Sequence, residues 1–191
     1  AVRVASTSNV DIDCLTGLTD DPDPKVKFEL MSCLGNYQDP VAASALGQLM
    51  AENAGDHYMV AAVMSSLNPG NVSEVLASLI NAKAKPDLLR ELIGQAVAMG
   101  DAKTIDRVLE VVCAPTEGKA GARHLASLAM ALDGLELRKW PVSRTSDDAR
   151  SRIADSIQEA RECATDESAE VDRRASAVHL LGREQHNQES D

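Results

Sequence analysis

The chain has 191 residues, enough for one sizeable domain or a short repeat array. Aromatic residues are only 2% of it, and the apolar mass is Ala, Leu, Val and Met, which argues against an aromatic-filled sandwich or barrel and for thin, closely spaced helices. A formal net charge of −11 argues against nucleic acid and against an anionic membrane surface, both of which require clustered Lys and Arg, and leaves protein partners.

Helical elements follow one another in pairs along the chain. Residues 1–8 (AVRVASTS) read as the tail of a preceding helix. The first pair is a helix near 10–20, carrying Leu15 and Leu18, and a helix near 24–35, carrying Val26, Leu30 and Leu34 on one face. The second pair covers 40–53 and 57–68, the third 71–82 and 86–99, the fourth 101–113 and 119–132, and the fifth 148–164 and 170–182. Pro24, Pro40 and Pro86 stand in first turns, where a missing N–H costs nothing, and Asn71 or Ser73 is placed to cap the fifth helix of the series. The final REQHNQESD is polar and offers no apolar face to a cap, so both ends are expected to continue in a longer protein.

Two signals establish the period. An L-x-x-[LV] step recurs at Leu15, Leu46, Leu76 and Leu109. A long apolar residue before a turn recurs at Leu34-Gly35-Asn36, Leu67-Asn68-Pro69, Met99-Gly100-Asp101, Leu132-Asp133-Gly134 and Leu181-Gly182. Gly, Asn and Asp tolerate the left-handed conformation that closes a helix, so a left-handed residue is expected at each of these ends. Met31-Ser32-Cys33-Leu34 is nearly repeated as Met64-Ser65-Ser66-Leu67, with Asp23 and Asp56 at matching positions ahead of them. The chain therefore divides into repeats near 10–36, 40–69, 71–100, 101–134 and 148–182, with an insertion at 135–147.

The stretch Asp21-Pro22-Asp23-Pro24-Lys25-Val26-Lys27, running on to Leu34-Gly35, resembles the HEAT repeat signature, an acidic and proline-rich turn before an apolar helix ending in Leu-Gly. The likeness weakens in the second repeat, where Val60 stands in the place of Lys27. The resemblance implies an all-α fold, a right-handed α–α superhelix of about five helix pairs serving as a non-catalytic protein-interaction or spacer module of a larger polypeptide. More narrowly, Leu18 to Leu79 is similar to the HEAT segment of large exported planctomycete-type proteins that join a membrane-bound-dehydrogenase-like propeller to a c-type haem domain. That likeness implies a periplasmic or exported location, with the haem outside this segment; without it the expectation is cytoplasmic. HEAT-like repeats also form bilin lyase-type proteins, the alternative reading, and a few DNA glycosylases, which the charge and the lack of base-gripping aromatics disfavour.

Nothing in the sequence has the spacing of a catalytic, metal or cofactor site. Cys14, Cys33, Cys113 and Cys163 are dispersed and read as small buried hydrophobes within helices. His57, His124, His179 and His186 lie too far apart for a local metal motif, and Asp20, Asp21 and Asp23 form only half a calcium loop. No apolar run approaches a membrane-spanning length. Two binding candidates remain. The insertion LELRKWPVSRTSD holds the one Trp, Trp140, beside Arg138, Lys139 and Arg144, either as a docking anchor or folded back over a helix end. Lys25, Tyr58, Arg90 and Arg123 occupy equivalent positions in successive repeats, as a binding row or as a solvated face.

Overall fold

A computed structural model describes residues 11–114 and 121–188, with side chains to residue 183. The expected tail at 1–8, the first residues of the fourth repeat's second helix, and His186 lie outside what is described. Among the described residues all regular structure is helical: α1 (Ile12–Thr16), α2 (Pro24–Leu34), α3 (Pro40–Glu52), α4 (His57–Ser66), α5 (Val72–Asn81), α6 (Pro86–Ala98), α7 (Ala102–Val112), α8 (Ala122–Leu137), a 3-10 turn (Val142–Arg144), α9 (Asp147–Thr165) and α10 (Val171–Gln188).

The chain forms two compact units that divide between Leu92 and Ile93, inside α6. In the first, α1, α3 and α5 pack in succession and α2 packs on α4, while α3 touches both α2 and α4. In the second, α7 packs on α9 and α8 on α10, with α9 against α10. Within each unit these helices meet the one two places further along, and the recurring Leu15, Leu46, Leu76 and Leu109 are all buried.

Acidic caps start the helices. The Asp23, Asp39 and Asp56 carboxylates accept from the backbone N–H groups of Lys25, Val41 and Tyr58, and Asp101 accepts from Thr104. Pro24 and Pro40 follow their caps as first helical residues. The α5 cap differs from expectation. Ser73 lies inside the helix, and buried Asn71 turns its side chain backwards, accepting from the Asn68 N–H at 2.8 Å and donating to the Ser66 carbonyl at 3.0 Å.

The helix ends also depart from the sequence reading. Of the expected left-handed closures only Gly100 has positive φ, at 68°. Gly35 is right-handed at φ −61°, and its lack of a side chain serves close packing instead. Gly134 and Gly182 lie within α8 and α10, which run on to Leu137 and Gln188. At Gly134 a Cβ would stand 3.4 Å from Val97, so this glycine too marks an approach rather than an end. The left-handed non-glycine residues are Lys83 and Lys139, at φ 56° and 53°. The insertion accordingly shrinks to residues 138–146. The first helix is shorter than expected, Gly17 closing α1.

Candidate functional site

In the first unit, α2 and α4 lie against each other, each begun by an Asp cap followed by the candidate residue two places on. Lys25 and Tyr58 therefore emerge from matching first turns. With Pro24, Phe28, Glu29 and Met59 they line an open groove of ≈ 390 Å³. Met59 is buried, whereas Tyr58 is 80% exposed and Phe28 40%. Large aromatic side chains are ordinarily drawn into the core, so two of the chain's four aromatics standing beside one groove is the feature that separates it from ordinary surface. Phe28 was missed at the sequence level. Its signal was there, as the single Phe of the chain one turn beyond Pro24, but its exposure was not legible from spacing.

The other members of the expected row are placed differently. Arg90 is exposed on α6 and is not among the residues lining this groove. Arg123 is exposed near the start of α8, in the second unit. A second open groove in the first unit, ≈ 430 Å³, is lined by residues including Thr16, Thr19, Pro40, Val41, Ser44 and Gln48, and its hydroxyls and amide make it the more polar of the two.

In the second unit the Trp140 segment is built on a Schellman closure of α8. The Lys139 N–H donates to the Glu136 carbonyl and the Trp140 N–H to the Leu135 carbonyl, both at 2.9 Å, with left-handed Lys139 making the reversal. This geometry returns Trp140 toward the helix it has just left, half-buried. Its Nε1–H is buried and has no acceptor among the described residues. The Arg144 guanidinium sits 5.3 Å from the ring centroid, within cation–π range. Arg138 does not join them: its Nη1 donates to the Ala98 carbonyl at 3.3 Å, while Lys139 is exposed. The segment is also pinned further along. The Ser146 N–H donates to Asp106 on α7, and Arg150 donates to the carbonyls of Ser143 and Thr145.

Burial and hydrogen bonding shift several titratable groups. Burial pushes the Cys113 thiol up to about 11, against a partial offset from its hydrogen bond with Ser156. Burial, then Glu29, raises the Cys33 thiol, and burial lowers His124. The carboxyl of Asp101 is held below its ordinary value by its hydrogen bonds with Thr104. Among the described residues no group of three or more His, Cys, Asp and Glu side chains is placed to hold a metal ion, and no helix is long and apolar enough to cross a membrane. No family model, curated protein or solved structure matches the chain.

Proposed function

We propose that this chain is a HEAT-like α-solenoid acting as a non-catalytic protein-interaction module, and that the groove between α2 and α4 receives a segment of the partner. The observation that carries this reading is the pair of exposed aromatics, Phe28 and Tyr58, above buried Met59, with Lys25 and Glu29 beside them. An apolar floor with aromatic anchors and a polar rim is the anatomy of a protein-binding patch. The packing of helices two places apart within each of the two units supports the reading of stacked helix pairs in a right-handed α–α superhelix. In this reading the module is a spacer or docking arm of a larger polypeptide. Trp140 and Arg144 serve to close α8, with Arg138 and Lys139 as parts of the same closure.

The test is a peptide selection on the immobilised whole chain, with Tyr58→Ala and Phe28→Ala forms as counter-screens. Loss of a hot-spot aromatic weakens binding by about tenfold or more, so enriched peptides should discriminate against both variants. Enrichment that ignores both substitutions, or that tracks Trp140→Ala instead, would sink the groove as the binding site.

A further inference from the structure

We infer that the groove between α2 and α4 takes an arginine-bearing segment of its protein partner, the guanidinium lodging against Phe28 and Tyr58 beside the carboxylates of Asp23 and Asp56. This rests on the groove reading proposed above and names what the groove selects. The two carboxylates belong to the groove through their hydrogen bonds. One oxygen of Asp23 accepts from the backbone N–H of Lys25 at 2.9 Å, and one oxygen of Asp56 accepts from those of Tyr58 at 2.9 Å and Met59 at 3.3 Å. Lys25, Tyr58 and Met59 all line the groove, so two negative charges are anchored at its edge. Both acids are exposed, and the second oxygen of each accepts no hydrogen bond among the described residues.

Charge decides among the possible occupants. Two helix starts and Lys25 would ordinarily invite an anion. Here the chain's own carboxylates already fill both starts, and an acidic segment would meet Asp23 and Asp56 where it had to bind. A purely apolar anchor would suit Phe28, Tyr58 and Met59 but would take the carboxylates out of water without a partner. A guanidinium satisfies both demands: it is weakly hydrated, stacks on aromatic surface, and its forked N–H donors match a carboxylate. An ammonium is the poorer fit, being compact and strongly hydrated. The chain makes one such pairing itself, with Arg144 5.3 Å from the Trp140 ring centroid. Lys25 does not oppose the occupant as it would on a rigid support. It is exposed on a long flexible stem that can swing its charge away, whereas the two carboxylates are held by backbone N–H groups. The surroundings agree, since between Asp11 and Leu92 twelve acidic side chains stand against five basic ones, a field that steers a cationic segment inward.

The experiment passes three synthetic peptide pools over the immobilised whole chain. The pools are alike except for Arg, Glu or Leu at one fixed central position among randomised uncharged residues. The Arg pool should be retained best, and its retention should fall with added salt. Tyr58→Ala, at an exposed site that leaves the fold intact, should weaken it by about tenfold or more. Asp56→Asn removes the charge and keeps a good helix cap, so its loss of about two- to fivefold reports on electrostatics rather than folding. Lys25→Glu should strengthen retention of the Arg pool by a similar factor. Best retention of the Glu or Leu pool, lost in Y58A, overturns the arginine inference and leaves the groove as the binding site. Retention of the Arg pool that ignores Y58A, or no retention of any pool, overturns the inference and the groove reading together.

Discussion

The backbone of Gly35 lies against Ser66 so closely that a Cβ on the glycine would stand 2.5 Å from the serine Cβ. Gly47 stands in the same relation to Ser78 at the same sequence separation, and its missing Cβ would also lie 2.9 Å from the Val75 carbonyl. One contact draws the end of α2 onto α4 and the other draws α3 onto α5, so a close approach in each row of the first unit depends on an absent side chain.

Gly35→Ala and Gly47→Ala should each destabilise by about 1–3 kcal/mol, the usual range for an overpacked contact. Gly94→Ala is the control: it lies inside α6 with nothing within 4 Å of the added carbon. There the helix gains propensity, and stability should rise by about 0.5–1 kcal/mol. Urea unfolding of the three variants decides, and equal effects at all three sites would refute the close-approach account.

Lys83 and Lys139 hold left-handed backbone at the closures of α5 and α8. A residue with a Cβ carries a cost of roughly 1–2 kcal/mol there. Lys83→Gly and Lys139→Gly should therefore raise the unfolding free energy by about 1 kcal/mol after the entropy of the unfolded glycine is offset. Thermal melts that fall for both variants would contradict the backbone conformation described.

Trp140 is the single tryptophan, so its fluorescence reports on one environment. Half-burial beneath Arg144 predicts emission blue-shifted from free indole and partial protection from acrylamide, with Arg144→Ala increasing the quenching. Because Nε1 has no acceptor among the described residues, Trp140→Phe should cost much less than Trp140→Ala, for which we expect about 2 kcal/mol at this half-buried site. Fully red-shifted emission with free quenching would restore the exposed-anchor reading of this segment.

The thiols give a pH prediction. Burial raises Cys113 in the folded chain from 9.0 to about 11, so the folded state holds this proton more tightly than the unfolded one. The contribution is present below the unfolded value and is lost as pH rises from there through the folded value. Cys113→Ala should flatten the decline of stability between those limits. In the native chain at neutral pH a thiol reagent should label exposed Cys14 quickly and buried Cys33, Cys113 and Cys163 only on unfolding. Rapid labelling of all four would contradict the packing of the helices.

The helices were legible because Leu15, Leu46, Leu76 and Leu109 recur within apolar stripes that prove to be buried, and because acidic residues before Pro24 and Pro40 announce helix starts. Their ends were less legible for a specific reason. Glycine serves both left-handed closure and close approach, and the letter is the same for both. Gly100 took the first role; Gly35 and Gly134 took the second. Lysine at a left-handed position carries no warning at all, and α8 runs on to Leu137, past the turn that Leu132-Asp133-Gly134 suggests, leaving the segment between helices shorter than 135–147. Lys25 and Tyr58 were found as equivalent positions, but the groove they share depends on the exposure of Phe28, a property of packing rather than of spacing.

The two asparagines between α4 and α5 do more than shape their loop. Asn71 is bound to Ser66 and to Asn68, and the Asn68 side chain in turn donates to the Gly35 carbonyl, at the far end of α2. A short loop is thereby stitched backwards across a whole helix pair. Repeat arrays are commonly regarded as strings from which one unit can be cut or into which one can be spliced. In the repeat-array reading proposed above the joint is not interchangeable: removing 40–69 would leave the Gly35 carbonyl without its donor and bring no Asn68 to replace it. Repeat number should be less free to change at this joint than elsewhere, and homologous chains that gain or lose pairs should do so away from it.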